Sequence, residues 1–143
     1  MAERAPTPIH LWIIGGVTLL WNAFGALDYL MTQTENASWM AKFTQEQLDY
    51  FYGFPMWVEV FWALAVWGGV LGSILLLLRK CLALPVLVVS LVSMVITAVY
   101  NFGLSNGMDI MGTGGFMFTV AIFIVALGLV IYARALQKRD VLT

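Results

Sequence analysis

Two carboxylates and two amides interrupt the long apolar stretches of this sequence, where polar side chains must face protein, water or a ligand. Asp28 and Glu59 lie near the ends of such stretches, and Asn22 and Asn101 lie deeper inside them. If the two carboxylates face each other, they could bind a cation or exchange a proton. The alternative is that each carboxylate simply reaches outward to water.

Each amide has a threonine four residues before it, which places the two side chains on one face of a helix. The amides could bond to one another, to these threonines or to hydroxyls of a substrate. The alternative is that they hold helices together, at an average of about 0.6 kcal/mol per interhelical hydrogen bond. The candidate polar cluster within the membrane is Thr18, Asn22, Asp28, Glu59, Thr97 and Asn101.

Residues that support covalent or metal chemistry are scarce. The chain has one histidine, His10, and one cysteine, Cys81, which excludes an intrachain disulfide and a bis-histidine haem within one chain. The sequence contains no nucleotide-binding loop, no metal-binding histidine pair and no serine nucleophile motif. We therefore predict no enzymatic activity, no catalytic residue, no metal and no cofactor.

The composition is that of an integral membrane protein. Of 143 residues, 62% are hydrophobic and 10% are charged, and the mean hydropathy is +0.90, well above that of ordinary soluble domains. Short connections leave no room for a second core, so we predict one domain over residues 1–143. A formal charge of −1 offers no basic surface to a nucleic acid. The expected partner is the lipid bilayer.

Four apolar stretches are each near the ~20 residues that span a bilayer. They cover residues 9–31, 56–78, 82–104 and 114–133. Only helices satisfy their own backbone hydrogen bonds in lipid across such continuous apolar runs. The predicted fold class is therefore all-α, an integral membrane four-helix bundle.

Basic residues predict the orientation of the spans, because they concentrate on the cytoplasmic side of bacterial inner-membrane proteins. Only Lys42 falls on one side of a four-span arrangement. The basic residues on the other side are Arg4, Arg79, Lys80, Arg134, Lys138 and Arg139. We therefore expect a multi-pass membrane protein with both termini in the cytoplasm.

The connection between the first two spans carries a helix signal. Thr44 followed by Gln47 fits a capping box, in which each residue's side chain bonds to the backbone of the other. We predict a short helix from Gln45 to Tyr52 that lies at the membrane interface.

The third span resembles the first. Aligning Asn22 with Asn101 places Thr18 on Thr97, and a Phe-Gly pair follows closely in both spans. One interpretation is a diverged internal repeat, in which two parallel helical hairpins are related by a pseudo-two-fold axis along the membrane normal.

Small residues form stripes along the first two spans that let helices approach closely. The second span has two such stripes, displaced around its axis: one is Gly69 and Ser73, and the second is Ala65, Gly68 and Gly72. The candidate packing residues are Gly15, Gly25, Ala65, Gly68, Gly69, Gly72 and Ser73. Because the second-span stripes offer more close-packing surface than a four-helix monomer needs, our main hypothesis is a non-enzymatic protein that acts as a homo-oligomer or as an accessory subunit of a larger membrane complex.

Several short segments carry a family resemblance. They are His10-Leu11-Trp12, the nine residues from Trp21 to Tyr29, Met31-Thr32-Gln33, and Trp67-Gly68 followed by Gly72-Ser73 and Arg79. On these residues the chain resembles a group of small four-span proteobacterial membrane proteins whose members are often called sugar transporters. The resemblance is densest in the first two spans and carries over no binding residue. It implies a location in the bacterial inner (cytoplasmic) membrane. It adds weight to the alternative function, a small-solute transporter for a sugar or a cation-coupled solute, with Asn22, Asn101, Asp28 and Glu59 lining the route.

Overall fold

The computed structural model describes residues 6–142, so Arg4 lies outside the described part of the chain. Four long helices are present: α1 (Ile9–Gln33), α4 (Met56–Leu77), α5 (Ala83–Val99) and α6 (Gly107–Lys138). Two short helices, α2 (Ala37–Met40) and α3 (Gln45–Tyr52), lie between α1 and α4. A five-residue π-helix, Tyr100–Leu104, continues α5. Between residues 6 and 142 there is no strand, which confirms the all-helical prediction.

The four long helices are apolar and long enough to cross a membrane, with α5 and the π-helix forming one span, Ala83–Leu104. Their outer surfaces carry large apolar side chains, among them Ile9, Leu20 and Met56, which are 75%, 74% and 78% exposed. Such surfaces are costly in water and ordinary in hydrocarbon. The chain is therefore a multi-pass membrane protein.

The first three predicted spans agree with the structure to within two residues at each end. The fourth predicted stretch, 114–133, lies inside α6, which is 32 residues long. The helix extends beyond this stretch at both ends. It begins ahead of a kink at Gly112, where φ is 72°, and it continues past the apolar run to the basic residue Lys138.

Helix α4 lies at the centre of the packing. It packs along α1 on one side and along α5 on the other, and α5 also packs along α6. A tight turn joins α4 to α5, with Arg79 in the left-handed region at φ 58°. The two helices are therefore antiparallel neighbours, as a short connection requires.

We call the end of the helices where α1 begins, α6 ends and the α4–α5 turn lies the terminal end. Its core includes Leu11, Leu76 and Leu136, all nearly inaccessible, together with the chain residues after α6. Arg79 ties the segments together, because its Nε donates to Val141 O at 3.0 Å and its Nη1 donates to Thr7 Oγ1 at 2.6 Å.

We call the opposite end, where α2, α3 and the α5–α6 connection lie, the loop end. Helix α3 begins at the predicted residue, and the capping box of Thr44 and Gln47 is confirmed in both of its hydrogen bonds, at 3.1 and 3.2 Å. The Gln47 side chain also donates to Ile110 O at 3.4 Å. This contact joins α3 to the start of α6.

Candidate functional site

Asn22 of α1 makes a tight contact with α4. Its Nδ2 donates a 3.1 Å hydrogen bond to Ser73 Oγ, and Ser73 is fully buried. A Cβ atom at Gly69 would lie 2.5 Å from Asn22 Oδ1, so glycine is needed to make room for the amide. The stripe of Gly69 and Ser73 therefore packs against the polar face of α1.

The two candidate packing glycines of α1 also face α4. A Cβ at Gly15 would lie 2.5 Å from Leu77 Cδ2, whereas a Cβ at Gly25 would lie at an ordinary 3.7 Å from Val66 Cγ1. Gly15, toward the terminal end, therefore has less room for a side chain than Gly25 has.

The second stripe of α4 packs against α5. Ser90 Oγ donates a 2.6 Å hydrogen bond to Ala65 O, and a Cβ at Gly68 would lie 3.1 Å from Ser90 Cβ. A Cβ at Gly72 would lie 2.5 Å from Leu87 Cδ2. Both small-residue stripes are therefore occupied by helices of the same chain. They do not provide the surplus packing surface that we expected from the sequence.

Thr18 and Thr97 each bond to the backbone of their own helix. Thr18 Oγ1 donates to Ile14 O at 2.6 Å, and Thr97 Oγ1 donates to Ser93 O at 2.9 Å. Thr32 and Thr119 make the same bond to the carbonyl four residues earlier, so this pattern is not specific to the two aligned spans. Neither the Thr18 nor the Thr97 hydroxyl donates to another helix.

Asn101 lies in the π-helix and bonds to α3. The Tyr50 hydroxyl donates to Asn101 Oδ1 at 2.7 Å and also lies 2.7 Å from Ser105 Oγ. Asn22 bonds instead to α4, so the two amides do not pair with each other as the sequence allowed. Burial raises the pKa of the Tyr50 phenol, and Tyr100 adds to this rise, while the hydrogen bond with Ser105 acts in the opposite direction.

Asp28 is covered by α2 at the loop end. Trp39 Nε1 donates a 2.8 Å hydrogen bond to Asp28 Oδ1, and the indole packs against Phe24 with ring centroids 5.8 Å apart. Lys42 Nζ lies 4.2 Å from the centroid of the same indole, within the range of a cation–π contact. Asp28 therefore has an ordered partner and does not simply extend into water.

A cavity of about 140 Å³ lies between the four long helices, beside Asp28. Its aromatic and polar lining residues are Trp21, Asn22, Phe24, Asp28, Trp62, Ser90 and Phe118. The rings of Trp21 and Phe118, with centroids 5.9 Å apart, bridge α1 and α6 beside it. Asp28 is the one charged group among the described residues that line this cavity. We refer to this space between the four helices as the interhelical cavity.

Glu59 lines a different space, an open groove of about 690 Å³ along α4 and α5. The groove is almost entirely apolar, with Trp67, Leu71 and Pro85 among its lining residues. Asp28 and Glu59 therefore do not share a cavity. Of the six residues in the predicted polar cluster, the structure brings Asn22 and Asp28 to the interhelical cavity.

The histidine and the cysteine both lie at the terminal end. The ring Nδ1 of His10 bonds to the Tyr132 hydroxyl, which links α1 to α6 at the terminal end. Cys81 is a half-buried free thiol in the α4–α5 turn. Within residues 6–142, no three His, Cys, Asp or Glu side chains are grouped so that they could hold a metal ion.

Three residues with roles at the loop end or at the interhelical cavity were missed from the sequence: Trp39, Tyr50 and Phe118. A signal exists for Trp39, because it lies three residues after Asn36, whose side chain caps α2. Tyr50 lies in the predicted short helix, but nothing in its spacing points to Asn101. Phe118 is one of many apolar residues in α6 and carries no distinguishing signal.

The chain matches no protein-family model, no curated protein and no solved structure. The resemblance to small four-span proteobacterial membrane proteins therefore stays a prediction.

Proposed function

We propose that this chain is a non-enzymatic, small-solute-binding protein of the bacterial inner membrane, and that it acts as a transporter. The observation that carries the proposal is the interhelical cavity, where Asn22, Asp28 and Ser90 meet aromatic side chains between the four spans. Ligand sites of this kind combine apolar walls with a few convergent polar groups. Polar groups at membrane depth commonly line the paths of substrates.

The occupied stripes of α4 favour this function over one based on packing alone. Gly69 and Ser73 contact α1, and Gly68 and Gly72 contact α5, so the small residues are accounted for within one chain. The cavity, in contrast, is space that the helix packing leaves open, and Asn22, Asp28 and Ser90 reach it among mainly apolar side chains.

We further propose that the four spans form a bundle with the terminal end in the cytoplasm. Arg79, Lys80, Arg134 and Lys138 lie in or near the terminal end, and Lys42 lies at the loop end. This asymmetry favours the terminal end inside. Helix α3 would then lie at the outer membrane interface, where the Tyr50 and Phe54 rings pack edge to face at 5.2 Å.

Filling the cavity tests the proposal. The purified protein is reconstituted into liposomes, and binding and uptake of glucose, glycerol and methylammonium are measured for the natural chain and for Ala126→Phe, which places a ring in the cavity. We expect at least one solute to bind and the variant to lose at least tenfold in affinity. Ala63→Phe, which enters the α4–α5 groove, is the matched control. If no solute binds, or if both variants lose affinity equally, the proposal fails.

A second candidate function is assembly with a second copy or with another membrane subunit. The observation that favours it is the apolar groove along α4 and α5, in which Trp67 is 42% exposed and Leu71 is 50% exposed. If this groove binds a second copy or another subunit, Ala63→Phe should disrupt that assembly and Ala126→Phe should not. Native mass spectrometry of the protein in mild detergent separates the outcomes, and a strictly monomeric protein with no retained partner contradicts this function.

A further inference from the structure

The charge of the interhelical cavity is the first clue to its ligand. Asp28 supplies a carboxylate, and none of the described lining residues is basic. The one side-chain hydrogen bond that the described residues donate to this carboxylate comes from Trp39 and reaches Oδ1. Because one neutral donor does not balance a carboxylate, the cavity disfavours anions and favours a group of positive charge.

The aromatic lining is the second clue. Trp21, Trp62 and Phe118 line the cavity beside the carboxylate, and the rings of Trp21 and Phe118 lie 5.9 Å apart. Aromatic faces attract organic cations through the quadrupole of the ring, and tryptophan does so best. A carboxylate among aromatic rings therefore recognises an organic ammonium ion better than it recognises a strongly hydrated metal ion.

The chain itself contains an ammonium group that contacts an aromatic ring at the loop end. The alkylammonium of Lys42 lies 4.2 Å from the centroid of Trp39, and that indole donates its N–H to Asp28. An ammonium group, an aromatic ring and this carboxylate thus already form a connected unit on the loop-end side of the cavity.

The volume of the cavity suits a small ligand. It is about 140 Å³, well above the ~10–15 Å³ that one water molecule needs by the same measure. A methylated ammonium head group fits in this space. Volume does not distinguish it from a neutral solute, so the charge of Asp28 and the aromatic wall determine the class of ligand.

We propose that the interhelical cavity binds a small organic ammonium cation, with Asp28 as its counter-ion and with Trp21, Trp62 and Phe118 as its aromatic wall. This inference rests on the proposed function and names its substrate class. Asn22 lies deeper on the same helix and completes the polar side of the site.

The test compares a cation with a neutral molecule of similar shape. Tetramethylammonium and tert-butanol are titrated into the detergent-solubilised full chain at constant ionic strength, and binding is measured by isothermal titration calorimetry. We expect tetramethylammonium to bind at least tenfold more tightly than tert-butanol. Because this comparison uses the natural chain, it does not depend on any variant folding.

Asp28→Asn provides the second arm, because an amide keeps the shape and can still accept the Trp39 hydrogen bond. We expect it to weaken tetramethylammonium binding at least tenfold and to leave tert-butanol binding unchanged. Glu59→Gln, in the α4–α5 groove, is the matched control. This variant should bind both molecules as the natural chain does.

The outcomes separate this inference from the proposed function. If glucose or tert-butanol binds as well as tetramethylammonium, and Ala126→Phe abolishes that binding, the cavity takes neutral solutes and the ammonium class is overturned while the proposed function stands. Equal tetramethylammonium affinity in the natural chain and in Asp28→Asn also overturns it. If no probe binds to a protein with an intact thermal transition, both proposals fail.

Discussion

Asn22 on α1 donates its side-chain hydrogen bond to the fully buried hydroxyl of Ser73 on α4. The amide side chain passes beside Gly69, where no Cβ stands in its way. One polar residue of the first span thus helps to set the register of the first and second spans, since an interhelical hydrogen bond specifies a pairing even where it adds little stability.

A double-mutant cycle should detect this hydrogen bond. Asn22→Ala, Ser73→Ala and the double variant are compared by thermal unfolding in detergent, and we expect a coupling free energy of about 0.6–1.7 kcal/mol. The control cycle pairs Asn22→Ala with Thr97→Val, because Thr97 bonds to its own helix, and should give a coupling below about 0.5 kcal/mol. Equal coupling in the two cycles would show that the hydrogen bond contributes nothing.

Gly69→Ala should destabilise the protein by about 1–3 kcal/mol, as overpacking does in tight interiors. The reason is that the new methyl group would lie 2.5 Å from Asn22 Oδ1. Gly128→Ala in α6, where nothing lies within 4 Å, is the matched control and should be neutral or stabilising by up to about 1 kcal/mol. Thermal unfolding measures both. Adding Asn22→Ala to Gly69→Ala should recover much of the lost stability. If it does not, the destabilisation does not come from contact with Asn22.

Gly112→Ala should destabilise α6 by about 1–3 kcal/mol, because Gly112 has φ 72° and ψ −174°, a backbone conformation that strains any residue with a Cβ. Gly114→Ala, two residues later in the helix and with open space around it, should instead be stabilising by about 0.5–1 kcal/mol. Both are read from the midpoint of thermal unfolding. If the two alanines have the same effect, the kink is not held at Gly112.

The Tyr50 phenol should make the docking of α3 sensitive to alkaline pH. Its folded-state pKa is raised above the ordinary value of 10.0, mainly by burial. A raised pKa means that the associated stability is fully present below pH 10 and is lost as the pH rises through the folded-state value. We expect the unfolding temperature to fall in this range for the natural chain and to fall less for Tyr50→Phe.

Ser105→Ala tests the cause of this shift. Because the hydrogen bond from Ser105 lowers the Tyr50 pKa against the effect of burial, its removal should move the phenol titration to still higher pH. Ultraviolet absorbance of the phenolate follows this titration, with Tyr50→Phe identifying the Tyr50 signal. A titration that moves to lower pH in Ser105→Ala contradicts the assignment.

Local signals explain which features the sequence predicted. The first three spans follow from continuous apolar runs, and the start of α3 follows from the local chemistry of Thr44 and Gln47. These signals depend on residues close together in the chain. The apolar run of the fourth span does not indicate where α6 begins, because a glycine near a helix end is compatible with either a break or a kink, and Gly112 makes a kink.

Partners across helices were harder to predict. The spacing of Gly68, Gly69, Gly72 and Ser73 correctly indicated two faces on α4, but spacing does not say which helix covers each face. Asn22 and Asn101 occupy similar sequence surroundings and still have different partners, because Tyr50 reaches the second amide from a connecting helix. The spacing and composition of residues along one helix do not determine which side chains of other helices they contact.

The position of Arg79 also has a consequence for the order in which the protein assembles. Its guanidinium contacts Thr7, ahead of the first span, and Val141, beyond the last one. During synthesis the first partner is made long before the second, since the chain emerges from its N-terminus. The contact of Arg79 with Val141 therefore forms only after all four spans have been synthesised.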